Sequence, residues 1–200
     1  MKIVLIGATG IIGKAVSQEL HDHEVINVGF IGGDYQVDIE NRASIAALFK
    51  EVGYVDAVIS TTGLIEFAPL NELTIEQFQT TVNNKILGHI NLFQIAKPYI
   101  KQGGSITFTS GYVAQNPMPG SSAVSLVNAA LDAFVKAAAL DLGDSLHINT
   151  VSPRFVKETM LLMGMNSETG ISAADTAKAY RHSIEGQETG QSFDVVDYIN

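Results

Sequence analysis

The sequence predicts an α/β fold with a doubly wound parallel sheet. Two observations lead to this prediction. Short runs rich in β-branched residues alternate with stretches of helical periodicity along the whole chain, which is typical of strands joined by helical crossovers. No internal repeat, low-complexity stretch or linker interrupts this alternation. Because crossovers are right-handed, the helices are expected on both faces of the sheet, and residues 1–200 are interpreted as a single domain.

Four strands and two helices are predicted in the first part of the chain. A β-branched run closed by Gly7 starts the series, and a second strand-like run ends at Gly29. The predicted strands cover residues 2–6, 24–28, 35–37 and 55–60, and the predicted helices cover residues 11–21 and 41–51.

Two long helices dominate the rest of the chain. The first covers residues 74–100 and begins with a capping-box pattern, Thr74 followed three positions later by Gln77. A turn is predicted at residues 101–104. The second long helix, residues 121–142, is apolar nearly all round. The remaining predicted elements are strands at 105–109, 147–151 and 191–195 and a helix at 173–185.

The composition restricts the class of protein and its partners. Hydrophobic residues make up 46% of the chain and charged residues 16%, which provides a sizeable core and excludes a disordered chain. The formal net charge is −9 at pH 7, so nucleic acid and anionic membrane surfaces are not expected partners. The absence of cysteine excludes disulfides, thiolate metal sites and cysteine nucleophiles.

The N-terminal segment, residues 1–13, has two interpretations. Its positive charge and apolar run are features of a signal peptide. Its three evenly spaced glycines make a poor hydrophobic helix, and a strand–turn–helix unit explains more of the segment. No later apolar run reaches the ~18–20 uncharged residues of a membrane helix. We therefore expect a cytoplasmic protein.

The strongest candidate binding site is the glycine-rich loop directly after the first strand. Its residues are Gly7, Ala8, Thr9, Gly10, Ile11, Ile12 and Gly13. Glycines at this spacing allow a tight turn, close approach of the backbone to a pyrophosphate, and close packing of the helix on the strand. The helix that follows directs free N–H groups and its positive dipole end at phosphates. The alternative is a glycine turn that binds nothing.

The residues that would hold the adenosine half of a dinucleotide are less decisive. The second strand ends in Val28, Gly29 and Phe30, without the acid that selects NAD or the cation that selects NADP. Phe30 either stacks on adenine or covers the sheet edge. Asp38, followed by Ile39, either accepts a hydrogen bond from the adenine amino group or caps the next helix.

A small polar loop follows the fourth strand. Its residues are Ser60, Thr61, Thr62 and Gly63. In doubly wound sheets, ligands bind in a crevice at the point where the strand order reverses. The carboxyl ends of the strands on either side of that point line the crevice. We therefore expect this loop to pack against a ribose and a pyrophosphate.

Histidine, serine and methionine residues elsewhere in the chain give weaker signals for a functional site. The five histidines, at positions 21, 23, 89, 147 and 182, lack metal-binding spacing, and surface positions are the simpler interpretation. Neither Ser110 nor Ser152 lies in a G-x-S-x-G elbow. Three methionines between residues 153 and 172 form either a small lid over an apolar ligand or part of the core.

These motifs, in this order, resemble the short-chain dehydrogenase/reductase family over almost the whole chain. The segments that carry the resemblance are 7–13, 37–39, 55–63, 104–110, 148–153 and 189–191. The resemblance implies a Rossmann fold with seven parallel strands in the order 3-2-1-4-5-6-7 and an NAD(P) site that includes Pro153. Arg154 stands where the family has glycine.

The resemblance does not extend to the family's catalytic residues, which are an Asn, a Ser and a Tyr-x-x-x-Lys pair. Alignment places Lys85 at the Asn, and Gly111 at the Ser with Ser110 one residue earlier. It places Val124 at the Tyr and Asn128 at the Lys. Valine cannot exchange a proton, whereas Asn128 can still form a hydrogen bond with a ribose hydroxyl.

Three side chains remain as candidates for catalysis. Tyr112 follows the fifth strand, Lys85 is an ammonium acid if burial lowers its pKa, and Ser110 offers a hydroxyl. The alternative is that Tyr112 covers a hydrophobic edge and that Lys85 makes a structural contact.

Two functions are compatible with this sequence. The first is an NAD(P)-dependent oxidoreductase with a non-standard proton donor, acting on a small molecule and weakly preferring NADP. The second is a catalytically silent protein that binds or senses the nucleotide. The resemblance also implies a homo-dimer or homo-tetramer that pairs through the two long helices, although an Ala-rich helix buried by its own chain is the alternative.

Overall fold

The computed structural model describes residues 1–199, and within them seven parallel strands form one sheet in the order β3-β2-β1-β4-β5-β6-β7. The predicted strand order is therefore confirmed. The strands are β1 (Lys2–Ile6), β2 (Glu24–Gly29), β3 (Tyr35–Gln36), β4 (Val55–Ser60), β5 (Ile100–Thr109), β6 (Leu146–Ser152) and β7 (Ser192–Asp194).

Helices cover both faces of this sheet. They are α1 (Ile11–Glu19), α2 (Arg42–Val52), α3 (Ile75–Val82), α4 (His89–Ala96), α5 (Ser122–Leu142), α6 (Lys157–Leu162) and α7 (Ala173–Glu185). Val4 and Ile6 of β1 belong to a core shared with α2, α4 and α5, whereas Ile3 and Leu5 belong to a core shared with α1 and α7. Alternate strand residues face opposite sides of the sheet, which produces the two cores.

The prediction of one continuous helix over residues 74–100 is wrong. The capping box at Thr74 is confirmed, but a π-helical segment, Asn83–Gly88, separates α3 from α4. A 3₁₀ turn, Lys97–Tyr99, then ends α4. Pro98 explains this end, because proline has no amide N–H and its ring clashes with the preceding helical turn.

The predicted turn at residues 101–104 is also wrong, because β5 begins at Ile100. Val55 of β4 pairs with Ile100, and Ala57 pairs with Ser105, so an irregularity in the register accommodates the extra residues. Gly103 has a φ of 72° within this stretch, a conformation that glycine adopts without strain. The other elements end within two residues of their predicted bounds.

The carboxyl ends of the central strands lie side by side. Ile6 pairs with Ser60, Ser60 with Phe108, and Thr109 with Val151. The loops after β1, β4, β5 and β6 therefore meet at one edge of the sheet, and the candidate site lies there.

Helix α5 belongs to the first core, although a segment around it, Ser122–Ser145, is long and apolar enough to cross a membrane. Half of its most apolar window is buried within the protein, and the core helix of a soluble protein has the same composition.

Candidate active site

The glycine-rich loop forms a tight connection between β1 and α1. Gly7 has a φ of 86°, and its N–H donates to the carbonyl of Val28 at 2.8 Å. A Cβ on Gly13 would lie 2.1 Å from the Gly7 carbonyl oxygen and 2.7 Å from the Ala8 Cα. Gly13 therefore lets α1 pack directly on the loop, whereas a Cβ on Gly10 would meet only the Gly7 oxygen, at 3.4 Å.

The N-terminus of α1 has donors for an anion. Gly10 is its N-cap, and no side chain in residues 1–199 caps the helix there. Thr9 and Gly10 are exposed, so the loop is open to solvent on this side. An uncapped helix N-terminus combined with an exposed glycine loop is a suitable phosphate cradle.

The loop after β2 folds back on its own strand. Asp34 accepts a hydrogen bond from the Asn27 N–H at 2.8 Å, and the Asp34 N–H donates to the Asn27 carbonyl at 2.6 Å. A Cβ on Gly29 would lie 2.9 Å from the Thr9 Cγ2, so this loop touches the glycine-rich loop. The Phe30 side chain is 69% exposed, which contradicts its interpretation as a cover for the sheet edge.

Asp38 does not cap α2. Asn41 is the N-cap, and its side chain accepts from the N–H groups of Ala43 and Ser44. The Asp38 carboxylate instead accepts from the Glu40 N–H at 2.9 Å, and Ile39 is buried. The capping alternative for Asp38 is therefore wrong, because a turn at residues 39 and 40 separates Asp38 from the helix and leaves Asn41 next to its first residue.

The candidate site includes a cavity of about 460 Å³ at the carboxyl edge of the sheet. Its wall is mostly apolar, with Ile65, Phe67, Met118, Phe155, Met163 and Met165 among the contributing side chains. The predicted site residues that line it are Ile12, Thr61, Thr62, Gly63, Lys85, Ser110, Tyr112, Asn128 and Pro153. The other predicted cofactor residues lie outside its lining: Gly7, Thr9, Gly10, Ile11, Gly13, Phe30, Asp38, Ile39 and Ser60.

Lys85 reaches the cavity from the π-helical segment. Its side chain is buried, and its Nζ lies 3.4 Å from the Thr62 carbonyl oxygen. A Cβ on Gly63 would lie 2.6 Å from the Lys85 Cδ, so glycine at position 63 leaves room for the lysine. The structure thus places an ammonium group in the same cavity as Ile12 of the glycine-rich loop.

Burial lowers the pKa of Lys85 to about 8. The negative charge of Asp132 opposes this effect by raising the Lys85 pKa. Asp132 does not form a salt bridge with Lys85, and its Oδ1 accepts from the hydroxyls of Thr150 at 2.6 Å and Ser192 at 3.1 Å. Desolvation therefore dominates over the distant carboxylate.

Asn128 and Gly111 are in close contact across the cavity wall. A Cβ on Gly111 would lie 2.7 Å from the Asn128 Nδ2, so the amide occupies space that a serine at position 111 would require. The Asn128 Oδ1 is buried and has no hydrogen-bond partner within residues 1–199. Ser110 is turned towards β6, with its Oγ 3.4 Å from the Val151 carbonyl oxygen.

Arg154 lies over the ring of Tyr112 and pairs with Asp194. The guanidinium carbon of Arg154 lies 3.7 Å from the centre of the Tyr112 ring, and Arg154 donates to both carboxylate oxygens of Asp194 at 3.0 and 2.6 Å. This hydrogen bonding raises the pKa of Arg154. The Tyr112 N–H also donates to the Pro153 carbonyl at 3.0 Å. The pair of Arg154 and Asp194 was not predicted, because the residues are 40 positions apart.

His89 contradicts the expectation that the histidines lie at the surface. It is completely buried, its Nδ1 lies 2.6 Å from the Lys85 carbonyl oxygen, and its Nε2 lies 3.0 Å from the Ser60 Oγ. The sequence contains a signal for this position, since His89 falls at helical spacing with the buried Leu92 and Ala96.

Comparisons with known proteins agree with this architecture. A family model described as enoyl-(acyl carrier protein) reductase matches residues 8–193. Versicolorin reductase 1 of Aspergillus parasiticus is 29% identical over 165 residues, which cover 78% of this chain and 63% of that protein. The chain therefore spans less than two thirds of the length of this relative.

Two solved structures match nearly the whole chain. The crystal structure of the protein lin1944 from Listeria innocua has a TM-score of 0.92 and 38% sequence identity, and the match covers 98% of this chain and 99% of that one. A small-chain dehydrogenase crystallised in complex with NADPH has a TM-score of 0.85 and 26% identity, with 96% of this chain and 94% of that chain covered.

Proposed function

Because the chain belongs to the short-chain dehydrogenase/reductase family, we propose that it is an NAD(P)-dependent oxidoreductase for a carbonyl/alcohol pair, with Lys85 as its proton donor. The observation that carries this proposal is the buried ammonium of Lys85, which lines one cavity together with Ile12 of the glycine-rich loop. A titratable group with a shifted pKa in an apolar cavity is a strong candidate for acid–base catalysis.

The residues of this chain fit a dinucleotide. The open side of Gly10 and the N-terminus of α1 suit a pyrophosphate. The Oδ1 of Asn128, which has no hydrogen-bond partner within residues 1–199, suits a ribose hydroxyl. We assign the remaining contacts to the predicted cofactor residues Gly7, Thr9, Ile11, Ile12, Gly13, Phe30, Asp38, Ile39, Ser60, Thr61, Thr62, Gly63 and Pro153. When bound, the nucleotide supplies or accepts the hydride.

Lys85 supplies the proton in the direction of carbonyl reduction. With a pKa of about 8, its amine is mostly protonated at pH 7, and it is a stronger acid than an exposed lysine. Val124 provides no proton at the position where the family has tyrosine. Tyr112, whose ring lies under Arg154, is the second candidate donor. Ser110 is the third candidate, and its hydroxyl would have to turn from the Val151 carbonyl to donate to the substrate.

The proposed cofactor preference is a weak one for NADPH. Asp34 is the acid nearest the end of β2, and it forms hydrogen bonds with the backbone of its own strand. We therefore expect no acidic side chain at this position to repel a 2′-phosphate. No cation follows the strand in residues 29–34 either. We therefore expect a discrimination of ~10-fold or less, about 1.4 kcal/mol.

The mostly apolar wall favours a carbonyl compound with apolar substituents. Met163 and Met165 line the cavity beyond α6, and flexible methionines adapt to varied apolar shapes. Arg154 is unsuited to binding a substrate carboxylate, since Asp194 already pairs with it.

We also propose that the chain forms a homo-dimer or homo-tetramer through its two long helical regions. Leu126 and Leu140 of α5 are 49% and 86% exposed, and Leu87 is 48% exposed. Covering these side chains would remove apolar surface from water. Light scattering coupled to size-exclusion chromatography distinguishes a dimer or tetramer from a monomer.

Nucleotide titration followed by single-turnover kinetics tests the proposed activity. The protein is titrated with NADPH and with NADH, and NADPH oxidation is then followed over a panel of apolar ketones and aldehydes. We expect Lys85→Met to slow oxidation by ~10²–10⁴-fold, because it removes the general acid. Tyr112→Phe tests the second donor, and the exposed residues Lys50 and Tyr54 provide the matched controls Lys50→Met and Tyr54→Phe.

The outcomes separate the two functions that the sequence allows. Fast turnover that neither Lys85→Met nor Tyr112→Phe affects would refute both donors. Tight nucleotide binding without turnover on any panel member would instead favour a protein that only binds the nucleotide. A parent that binds neither nucleotide at millimolar concentration would refute the dinucleotide site.

A further inference from the structure

A chain of hydrogen bonds runs from the π-helical segment to the cavity. The His89 Nδ1 lies 2.6 Å from the Lys85 carbonyl oxygen, and the His89 Nε2 lies 3.0 Å from the Ser60 Oγ. The Ser60 Oγ in turn lies 2.9 Å from the Thr62 Oγ1. Ser60 and His89 are buried, and Thr62 lines the cavity.

His89 directly follows the π-helical segment and bonds to two of its carbonyl groups. The backbone N–H of His89 donates to the Ile86 carbonyl, and the His89 ring reaches the Lys85 carbonyl. The ring and backbone of one residue therefore bond to two different carbonyls of the preceding turn. π-helical turns of this kind occur frequently at functional sites.

The partners of His89 determine the direction of every bond in the chain. A carbonyl oxygen only accepts hydrogen bonds, so the Nδ1 of His89 carries the proton and donates it. Burial lowers the pKa of His89 to about 3, so the ring is neutral at pH 7 and its Nε2 is an acceptor. Ser60 must then donate to Nε2, and the Ser60 oxygen is left to accept from Thr62.

The hydroxyl of Thr62 consequently has no proton left for a ligand. Its hydrogen points to Ser60, and only the lone pairs of its oxygen remain available. The Thr62 methyl group is directed at the glycine-rich loop, since a Cβ on Gly7 would lie 2.9 Å from the Thr62 Cγ2. Both substituents of the Thr62 Cβ therefore have fixed surroundings.

We propose that His89 and Ser60 act as positioning residues that fix Thr62 as a hydrogen-bond acceptor, and that Thr62 thereby selects a hydroxyl group of the bound ligand. This inference rests on the proposed function for the identity of the ligand. Two hydroxyl sources fit the chemistry, a ribose of the nucleotide and the alcohol form of the substrate. A ligand carbonyl at this position would form no hydrogen bond with the Thr62 oxygen, so the alcohol form of a substrate would bind more tightly here than its carbonyl form.

The tautomer of His89 tests the direction of the chain without any ligand. Long-range nitrogen–proton NMR spectra of the ¹⁵N-labelled protein identify which ring nitrogen carries the proton. We expect a proton on Nδ1 and none on Nε2 at pH 7. A proton on Nε2 would overturn the inference, because Ser60 would then accept from His89 and Thr62 would be free to donate.

Variants of Thr62 and Ser60 test the role of the acceptor. We expect Thr62→Val, which keeps the shape and removes the oxygen, to weaken hydroxyl binding about tenfold. Thr62→Ser should restore the affinity to within about threefold of the parent. Ser60→Ala should weaken binding in the parent, because the Thr62 hydroxyl is then free to rotate. It should have no further effect in Thr62→Val, because Ser60 acts on the ligand only through the Thr62 oxygen.

Two titrations distinguish the sources of the hydroxyl. Titration with NADPH alone reports a ribose hydroxyl, and titration with 1-phenylethanol in the presence of NADP⁺ reports the alcohol. Loss of affinity in either titration supports the inference, and equal affinity of the parent and Thr62→Val in both overturns it. A parent that binds no nucleotide would refute the proposed function, while the NMR spectrum alone would decide the direction of the chain.

Discussion

A single methyl group should have different effects at Gly10 and at Gly13. A Cβ on Gly13 would lie 2.1 Å from the Gly7 oxygen and 2.7 Å from the Ala8 Cα, and these backbone atoms cannot turn away. Overpacking of this kind lowers the free energy of unfolding by ~1–3 kcal/mol or more. The higher helix propensity of alanine relative to glycine offsets ~1 kcal/mol of this loss. We expect Gly13→Ala to lower the free energy of unfolding by about 2 kcal/mol and the Tm by about 4–8 °C.

Gly10→Ala is the matched change in the same loop. Its Cβ would lie 3.4 Å from the Gly7 oxygen, and Gly10 has a φ of −79°, so alanine fits without strain. Loss of the glycine N-cap should cost ~1 kcal/mol or less. The added methyl group would nevertheless stand where the pyrophosphate approaches the backbone, and we expect NADPH binding at least ~10-fold weaker.

Urea denaturation and NADPH fluorescence titration measure the two effects separately. The reasoning predicts that Gly13→Ala loses mainly stability and that Gly10→Ala loses mainly affinity. A Gly13→Ala variant as stable as the parent would refute the packing argument. A Gly10→Ala variant that binds NADPH as tightly as the parent would show that the pyrophosphate does not pass this loop.

Three further predictions concern buried groups near the cavity. Burial lowers the pKa of Lys85 from its usual value near 10.5 to about 8, so its charge destabilises the fold below pH 8 and this effect fades towards pH 10.5. In urea denaturation, Lys85→Met should therefore be about 3 kcal/mol more stable than the parent at pH 7. The gain in stability should be smaller at pH 10, and a variant less stable than the parent at pH 7 would contradict this prediction. The pKa of His89 is lowered to about 3, chiefly by burial, so the parent should lose stability relative to His89→Phe as the pH falls from 6.5 towards 3, by up to about 1.4 kcal/mol per pH unit. Equal pH dependence in the two proteins would exclude a buried neutral imidazole. Gly111→Ser should lower the free energy of unfolding by about 1 kcal/mol, because its Cβ would lie 2.7 Å from the Asn128 Nδ2. In a double-mutant cycle, Asn128→Ala should remove this loss, whereas additive effects of the two changes would rule out the contact.

Features set by neighbouring residues in the sequence were predictable. The capping box at Thr74 was recognised because its partner, Gln77, is three positions away. The glycine-rich loop was recognised because the strand, the glycines and the helix follow one another directly. Even the position of Lys85 in the candidate site followed from its place in an aligned helix.

Features set by distant residues were not predictable in the same way. β5 begins at Ile100 because Val55 of β4 provides a pairing partner there, and nothing within residues 101–104 indicates this. The hydrogen-bond partner of the buried His89 Nε2 is Ser60, which is 29 positions away. The partner of Arg154 is Asp194. Arg154 follows β6 and Asp194 ends β7, and the pairing of these two strands brings them together.

The alternation of strands and helices predicted the parallel sheet, because such a chain has few ways to pack. The spacing of the glycines predicted the loop suited to a dinucleotide, and the family resemblance predicted the strand order. Only the tertiary structure showed that Lys85, Asn128 and Tyr112 line one cavity, and that His89, Ser60 and Thr62 lie within hydrogen-bond distance of one another in series. The physical reason is range. Local hydrogen bonds and side-chain periodicity are written in consecutive residues, whereas burial, pKa shifts and the direction of a hydrogen-bond chain depend on atoms that folding brings together from separate strands and helices.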